Sequence, residues 1–467
     1  MHQERIAIES PAAALRAISR LEMPFACRCQ AEGAGGPLVL LGAEPYMVLS
    51  CDGRGTRLSG ARDGLFADPF SALSAIIADH APLPEAEGPF PFNGGAFGYF
   101  SYDLKDLVEP SRRPASQPAA SQAVELAAAG LPRALLGFYD PVIVWEEETR
   151  RAWAVSYQTQ GWQGRLERLR EALSLGGPEP GALRPSRFCL SDFTREGYME
   201  AVERAIDYIA AGDIYQVNLS QRLVLEWSAP ALRAFEALGG TDGAPFSAYL
   251  DAGPFQVVSN SPELLLRVRG RRAETRPIKG TRRRGADRRA DRAMVDELRN
   301  SPKERAEHVM IVDLERNDLG RVCEPGTVRV RSFGRIETFP GLHHMVSVVE
   351  GRLREGVDSA QCLRNVFPGG SITGAPKIRA MEIIDELEPT PRELYTGAVG
   401  WCDLSGDMEL AMAIRTAVVK DGLMYLGVGG AVVADSDPAC EYDETILKAA
   451  GFLAVAGVND GLRIRKR

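Results

Sequence analysis

Thr194-Arg195-Glu196-Gly197-Tyr198-Met199-Glu200-Ala201-Val202-Glu203-Arg204-Ala205-Ile206-Asp207-Tyr208-Ile209-Ala210-Ala211-Gly212, followed shortly by Gln221-Arg222-Leu223-Val224-Leu225, decides the fold class. Thr194 is a capping residue, and Tyr198, Val202, Ala205, Ile206 and Ile209 recur at the spacing of one helix face until Gly212 ends the run. The apolar pattern then changes. Gln221 to Leu225, Phe255 to Ser259 and Leu264 to Val268 are short, β-favouring and separated by turn residues, and a second set follows at Ala398 to Asp403 and Leu423 to Val428. A helix succeeded by runs of strands predicts an α+β protein with substantial antiparallel sheet.

Upstream, Gly176-Gly177-Pro178-Glu179-Pro180-Gly181, with Pro185 beyond it, is too rich in Gly and Pro for helix or central strand and reads as a linker. It divides the chain into an N-terminal region, 1–175, and a C-terminal region, 187–467, expected to intertwine in one globular unit. The first region carries strand-like runs at Pro37 to Leu41 and Val142 to Trp145. It also carries a low-complexity stretch from Pro110 to Pro132, rich in Ala, Ser, Pro and Gln, that reads as an exposed insertion.

A chain of 467 residues, 45% hydrophobic and 25% charged, can bury a sizeable core and is neither disordered nor membranous in composition. Its longest apolar stretches, such as Ala398 to Trp401, are far too short to span a bilayer, and the N-terminus has no apolar segment of signal-peptide type. A cytoplasmic enzyme is the expectation. Eight cysteines show no metal-binding spacing and suit a reducing compartment. The formal charge of -8 argues against nucleic acid as a bulk partner, and the Arg272 to Arg292 cluster is local enough to serve a small anion.

Lys279, within Arg276-Pro277-Ile278-Lys279-Gly280-Thr281, is a lone amine between a β-branched residue and a glycine. It reads either as a solvated loop charge or as a nucleophile, with Arg271, Arg272, Arg276, Arg282, Arg283 and Arg284 nearby in sequence to favour its free amine. Downstream, Ser301-Pro302-Lys303-Glu304 predicts a helix start with a capping box. On that helix Glu304, Glu307 and His308 share a face, although a cap and a solvated carboxylate would give the same pattern. A second helix after Pro438 carries Glu441, Glu444 and Lys448 on one face. Two Glu-x-x-Glu pairs brought together need a divalent cation, and all-oxygen donors point to Mg²⁺. Lys448 could contact an anion, but its spacing favours an ion pair with Glu444.

Gly369-Gly370-Ser371-Ile372-Thr373-Gly374-Ala375-Pro376-Lys377 is a Gly-rich loop opening a helix, either an anion cradle or a plain tight turn. Glu263, after Ser261-Pro262, is a turn residue or a general acid facing the Lys279 segment. His344 is a cavity residue or a buried structural histidine.

Together these segments resemble the chorismate-utilising enzymes, the family that includes anthranilate, isochorismate, salicylate and aminodeoxychorismate synthases. The resemblance rests on Pro91-Phe92-Asn93-Gly94-Gly95 through Tyr102-Asp103, Gly212-Asp213-Ile214-Tyr215-Gln216-Val217-Asn218, Pro277 to Thr281, Ala306-Glu307-His308, Phe367 to Lys377 and Glu441 to Lys448. Within the family, Pro277-Ile278-Lys279-Gly280-Thr281 and the Gly369 to Gly374 loop resemble the aminodeoxychorismate synthase component I branch; anthranilate synthases typically have alanine in place of the lysine.

The resemblance implies two β-sheets packed face to face as a sandwich, with helices outside and the active site in a cleft of the C-terminal region. It implies that Glu307 and Glu444 ligate Mg²⁺ directly, with Glu304 and Glu441 acting through water or behind them. Arg415, Tyr395, Lys448 and the backbone of Gly429 and Gly430 would hold substrate carboxylates, Thr281, His344 and Thr373 would line the pocket, and Glu263 would be the general acid. Lys279 would form a covalent adduct with chorismate that ammonia displaces, giving 4-amino-4-deoxychorismate for 4-aminobenzoate and folate. No glutaminase constellation of Cys, His and Glu is evident, so the resemblance implies ammonia from a separate glutamine amidotransferase subunit. Leu40-Leu41-Gly42-Ala43-Glu44 departs from the Leu-Leu-Glu-Ser motif of feedback-inhibited anthranilate synthases, so tryptophan binding is not carried over. The alternatives are an anthranilate or isochorismate synthase with an atypical lysine, and a non-catalytic chorismate-binding subunit.

Overall fold

The structure, a computed structural model, describes residues 1–31, 36–80, 90, 92, 94–109, 130–178, 181–339, 342–458 and 465–466. Most of the low-complexity stretch, residues 110–129, lies outside these, as do Pro91, Asn93 and residues 179–180 of the linker. Among the described residues no helix is long and apolar enough to cross a membrane.

The helix capped by Thr194 spans Arg195–Ala210, with Thr194 Oγ1 accepting the Gly197 N–H at 2.9 Å. Its apolar stripe of Tyr198, Val202 and Ala205 is buried against Val217 and Leu219 of the strand Gln216–Glu226. That strand has two characters. Val217, Leu219, Leu223 and Leu225 pack under helices. On the opposite face Ser220 is hydrogen-bonded to Glu388 and Arg222 is ion-paired with Glu393. Period-two alternation of this kind marks a strand with an apolar side and a polar interior side.

Two large sheets, of thirteen and twelve strands among the described residues, organise the molecule. Their pairing is antiparallel except where Cys189–Ser191 runs parallel to Arg465–Lys466. Both sheets mix early and late parts of the chain. In one, Phe25–Ala31 pairs with Phe246–Asp251, Ala26 lying opposite Tyr249. In the other, Gly95–Phe100 pairs with Ala398–Asp403, Phe97 lying opposite Trp401.

The sheets face each other across a core built from Phe25, Leu38, Val144 and Val257 on one side and Phe97, Tyr99, Leu264 and Trp401 on the other. Each of these side chains is buried, contributing roughly 1.5–3 kcal/mol by removal from water. Outside, the helices Pro69–His80, Pro302–Gly320 and Ser359–Val366 cover one sheet, and Pro11–Ile18, Trp162–Leu175 and Pro438–Val455 cover the other. A buried ionic node also joins the sheets. Arg267 donates to Glu409 at 2.8 Å and Glu274 at 3.0 Å within its own sheet, and to the Gln30 carbonyl of the facing one at 3.0 Å. Such a node holds a specific register more than it adds stability, because desolvating the charges offsets their attraction.

Candidate active site

The strand Ile278–Arg283 pairs with Leu342–Arg352, and its register slips between Lys279 and Thr281. Gly280 sits at the slip with φ of 73°. A Cβ there would lie 2.6 Å from Leu298 Cδ1 and 3.0 Å from Glu304 Oε2, so both conformation and space demand glycine. The bulge lies next to Lys279, which borders a cavity of about 500 Å³. Burial pushes the Lys279 amine below its ordinary value; Glu307, 3.8 Å away, opposes the effect and Lys448 adds to it.

The sequence argument for a free amine therefore reached the right direction through the wrong groups. Arg271 pairs with Glu324, Arg272 with Glu350, Arg276 with Glu274, Arg282 with Glu297 and Arg284 with Asp291. Desolvation lowers the lysine. Five of the six arginines around Lys279 thus form ion pairs along sheet and helix, while Arg283, with the paired Arg282, borders the cavity.

Both Glu-x-x-Glu helices reach the same cavity. Pro302–Gly320 begins at Ser301, whose hydroxyl accepts the Glu304 N–H at 3.3 Å, but only this half of the predicted capping box forms. The Ser301 N–H turns to Leu298, and the Glu304 carboxylate instead meets Arg282 at 3.3 Å. On Pro438–Val455, Glu444 pairs with Lys448 at 2.6 Å, as the spacing favours, and Lys448 also donates to the Gly429 carbonyl at 2.8 Å. Glu441 accepts from the Ser436 hydroxyl at 2.7 Å. The four carboxylates border one cavity from two helices, an all-oxygen donor set that suits a hard divalent cation. Each is engaged with a cation or hydroxyl, and among the described residues no three metal-ligating side chains are gathered at one point.

Glu263 lies between the strands Gln256–Ser261 and Leu264–Arg269, buried at the cavity wall. Its carboxyl is pushed up to about 7, chiefly by burial, while the Ser371 hydroxyl donating at 2.6 Å and the Lys279 charge offset part of the effect. A hydrogen bond from the Ile278 backbone ties it to the lysine strand. Two titratable groups thus sit in one cavity with their affinities for protons drawn together, an arrangement suited to acid–base and nucleophilic work at neutral pH.

Thr281 and His344 meet side by side at the cavity, Oγ1 to Nδ1 at 3.0 Å, and burial lowers His344 to about 4, which keeps the ring neutral. Tyr395 and Arg415 also border it. Arg415 adopts φ of 50°, a left-handed conformation that a residue with a long side chain takes at some cost, and its carbonyl accepts the Asn260 N–H at 2.9 Å. Gly429 lines the wall, while Gly430 stands at its edge, where a Cβ would lie 3.2 Å from Glu441 Oε2.

Three residues singled out in the sequence have other neighbours. Thr373 is buried, donating to the Gly369 carbonyl at 3.0 Å, and shapes the loop rather than the wall. His308 shares Glu307's helix but is buried against Ser347, 2.5 Å from its hydroxyl. Lys377 donates to Asp318 at 2.5 Å and to the carbonyls of Val366 and Pro368, bracing the Gly-rich loop. That loop presents Ser371 to Glu263 instead of serving as an anion cradle at the helix start. Ser371 carried no sequence signal beyond membership of the loop. Asn218 also borders the cavity. Its signal was the polar set Asn218, Ser220 and Arg222 alternating with Val217, Leu219 and Leu223, because a buried polar face needs partners.

A sandwich of two large sheets, with this cavity beside the Lys279 strand, is the architecture of a chorismate-utilising enzyme. A family model described as chorismate binding enzyme matches residues 39–454, and the chain belongs to that family. Anthranilate synthase component 1 of Pseudomonas putida is 42% identical over 398 residues, covering 81% of this chain and 77% of that protein. Aminodeoxychorismate synthase component 1 of Klebsiella aerogenes is 39% identical over 429 residues, covering 91% of each. Among solved structures, anthranilate synthase component I from Streptococcus pneumoniae TIGR4 matches with a TM-score of 0.77 at 29% identity, covering 90% of this chain and 92% of that one. The relatives divide between two activities at similar identity.

Proposed function

We propose that this chain is the chorismate-aminating component of an aminodeoxychorismate synthase, working in the cytoplasm and taking ammonia from a separate glutamine amidotransferase subunit. The observation that supports this reading is the placement of Lys279 in the same cavity as Glu263, its amine depressed by burial. The designation "component 1" of the relatives supports a partner.

Glu263 protonates the C4 hydroxyl of chorismate, which leaves as water. The neutral Lys279 amine adds at C2 while the two ring double bonds shift, and gives up its extra proton. Ammonia then attacks C4 and gives up a proton, the double bonds shift back, and the C2–N bond breaks as the departing Lys279 nitrogen takes up a proton, which restores the neutral amine. Two displacements return nitrogen to the face the hydroxyl left. Arg415, Tyr395, Lys448 and the backbone at Gly429 and Gly430 hold substrate carboxylates, with Thr281 and His344 along the wall and Thr373 supporting the loop beneath. Mg²⁺, held by Glu307 and Glu444 with Glu304 and Glu441 outside them, would supply positive charge for the ring carboxylate.

Anthranilate formation is the second reading, favoured by relatives such as the Pseudomonas putida enzyme. Incubating the purified chain with chorismate, Mg²⁺ and ammonium separates the two. 4-Amino-4-deoxychorismate is the expected product by mass spectrometry, and anthranilate would overturn the assignment. Glutamine is expected to replace ammonium only when a glutaminase is added.

Glu263 also sets a pH dependence. A carboxyl titrating at about 7 is protonated below that pH and loses its proton above it, so kcat/KM should fall by about tenfold per pH unit on the alkaline side. Glu263→Gln should lower the rate by roughly 10²–10⁴-fold and remove that limb of the profile. A Gln variant that keeps the limb would assign it to another group.

A further inference from the structure

Ser371 is held from behind before it meets Glu263. It lies in the tight turn Gly370–Ile372, pressed against the helix Pro302–Gly320 so closely that a Cβ on Gly370 would lie 2.6 Å from Leu314 Cδ2. The Ile372 carbonyl accepts from the buried Arg392 guanidinium at 2.9 Å, and the Thr373 carbonyl accepts the Asn218 N–H at 2.8 Å. Glu263 is pinned as well. Its carbonyl accepts the Met412 N–H at 3.0 Å, and its own N–H reaches Ser261 Oγ at 3.3 Å. Between these two fixed backbones runs one side-chain hydrogen bond, from Ser371 Oγ to Glu263 Oε1 at 2.6 Å, with both residues buried. A protonated carboxyl has two oxygens and one hydrogen. Among the described residues Glu263 Oε1 is the one acceptor that the Ser371 hydroxyl meets, so the serine hydrogen points at Oε1 and the acidic hydrogen is left to Oε2.

We propose that Ser371 is a positioning residue for the general acid, its hydroxyl occupying Oε1 and so confining the transferable proton of Glu263 to Oε2, from which it is delivered. This rests on the chorismate-aminating reading in either of its two forms, since the C4 hydroxyl leaves in both. The same bond acts on the acidity of the carboxyl. A donor to a carboxylate favours the ionised form, and Ser371 is the largest of the influences opposing the rise that burial imposes. The other titratable groups acting on or responding to Glu263 are Lys279 of Ile278–Arg283, Lys448 of Pro438–Val455 and Glu315 of Pro302–Gly320. Among the described residues none of these three is hydrogen-bonded to Ser371. Loss of the hydroxyl therefore raises the affinity of Glu263 for its proton and frees that proton to occupy either oxygen. An acid that must be protonated to work then stays active to higher pH, but gives its proton up less readily and from a less defined position.

The test is the pH dependence of kcat/KM for the full chain with chorismate and Mg²⁺, free ammonia being held saturating at every pH, comparing wild type with Ser371→Ala and Ser371→Thr. Ser371→Ala is expected to move the alkaline limb up by about one pH unit and to lower kcat by about tenfold below it, with the chorismate KM within about twofold. Ser371→Thr keeps the hydroxyl and should keep the wild-type limb. A limb that stays in place in Ser371→Ala overturns the inference, and so does an equal displacement in both variants, which would follow the shape of the loop rather than the hydroxyl. A rise in the chorismate KM with the limb unmoved also overturns it, making Ser371 a substrate contact. If Ser371→Ala fails to fold by thermal denaturation, Ser371→Cys, a weaker donor, carries the comparison with the same direction of shift expected. The carboxyl is also read without turnover, from the infrared band of protonated Glu263 in difference spectra against Glu263→Gln, with and without Ser371→Ala. That band should persist to about one pH unit higher when the hydroxyl is absent. An unshifted band in an active chain sinks the inference, whereas a wild-type chain that shows the shift but fails to aminate chorismate sinks the reading on which it depends.

Discussion

Lys279→Ala is expected to lower formation of 4-amino-4-deoxychorismate by roughly 10³-fold or more, because ammonia then has no C2 adduct to displace. The expectation extends beyond rate. With the side chain cut back to Cβ, the space beside Glu263 and Glu307 is open to small nucleophiles, and residual chemistry should move to C2. Gly280 and the bulge leave the backbone at this position unchanged by the substitution, since neither depends on the lysine side chain. The measurement is a product profile of both proteins under saturating ammonium, with intact-protein mass spectrometry of the wild type for an adduct on Lys279. Unchanged C4 amination by the alanine variant would show that the lysine only positions substrate, and the covalent route would have to be abandoned.

Removing divalent metal is expected to cost a similar amount, on the order of 10²–10³-fold in turnover, equivalent to several kcal/mol of charge stabilisation. Glu304, Glu307, Glu441 and Glu444 border the cavity that a dianionic substrate must enter, and like charges brought into a partly desolvated space repel strongly. Glu307→Gln and Glu444→Gln should each reproduce the loss and weaken Mg²⁺ binding measured by calorimetry. The two variants should differ in one respect. Glu307 holds the Lys279 amine up, so its neutralisation lets that amine fall further, whereas the main partner of Glu444 is Lys448. Full activity in chelator, with no metal detectable by elemental analysis, would overturn the assignment of these carboxylates.

The local elements of this chain were legible wherever one segment supplied its own answer. Thr194 reports its helix because cap and apolar stripe lie within a few turns, and Glu444 and Lys448 report their ion pair because helical geometry makes them neighbours. The repeated Glu-x-x-Glu spacing suggested that the two helices share a cation, but only the family resemblance connected that site to Lys279, since nothing in either helix encodes what it faces. Misreadings arose where a side chain had a choice of partners. Glu304 abandoned the capping box for Arg282, and the arginines around Lys279 found carboxylates on neighbouring strands and helices. Register between the early and late strands was invisible for a related reason: the alternation of Phe97 and Tyr99 states which sides are buried, not that Trp401 lies opposite Phe97.

That pairing sets a timetable for biosynthesis. The strand Gly95–Phe100 leaves the ribosome long before Ala398–Asp403, its neighbour in the sheet, has been made. At about 5–20 residues per second, the interval between them amounts to roughly 15–60 seconds. Throughout it the nascent chain carries an apolar strand, buried along its whole length in the finished protein, with one edge unpaired. Phe25–Ala31 waits in the same way for Phe246–Asp251. An expression host with little chaperone capacity meets this protein at its most aggregation-prone stage, and because slower elongation lengthens the interval for each chain, a lower rate of initiation, which keeps fewer incomplete chains present at once, is the change that limits their association.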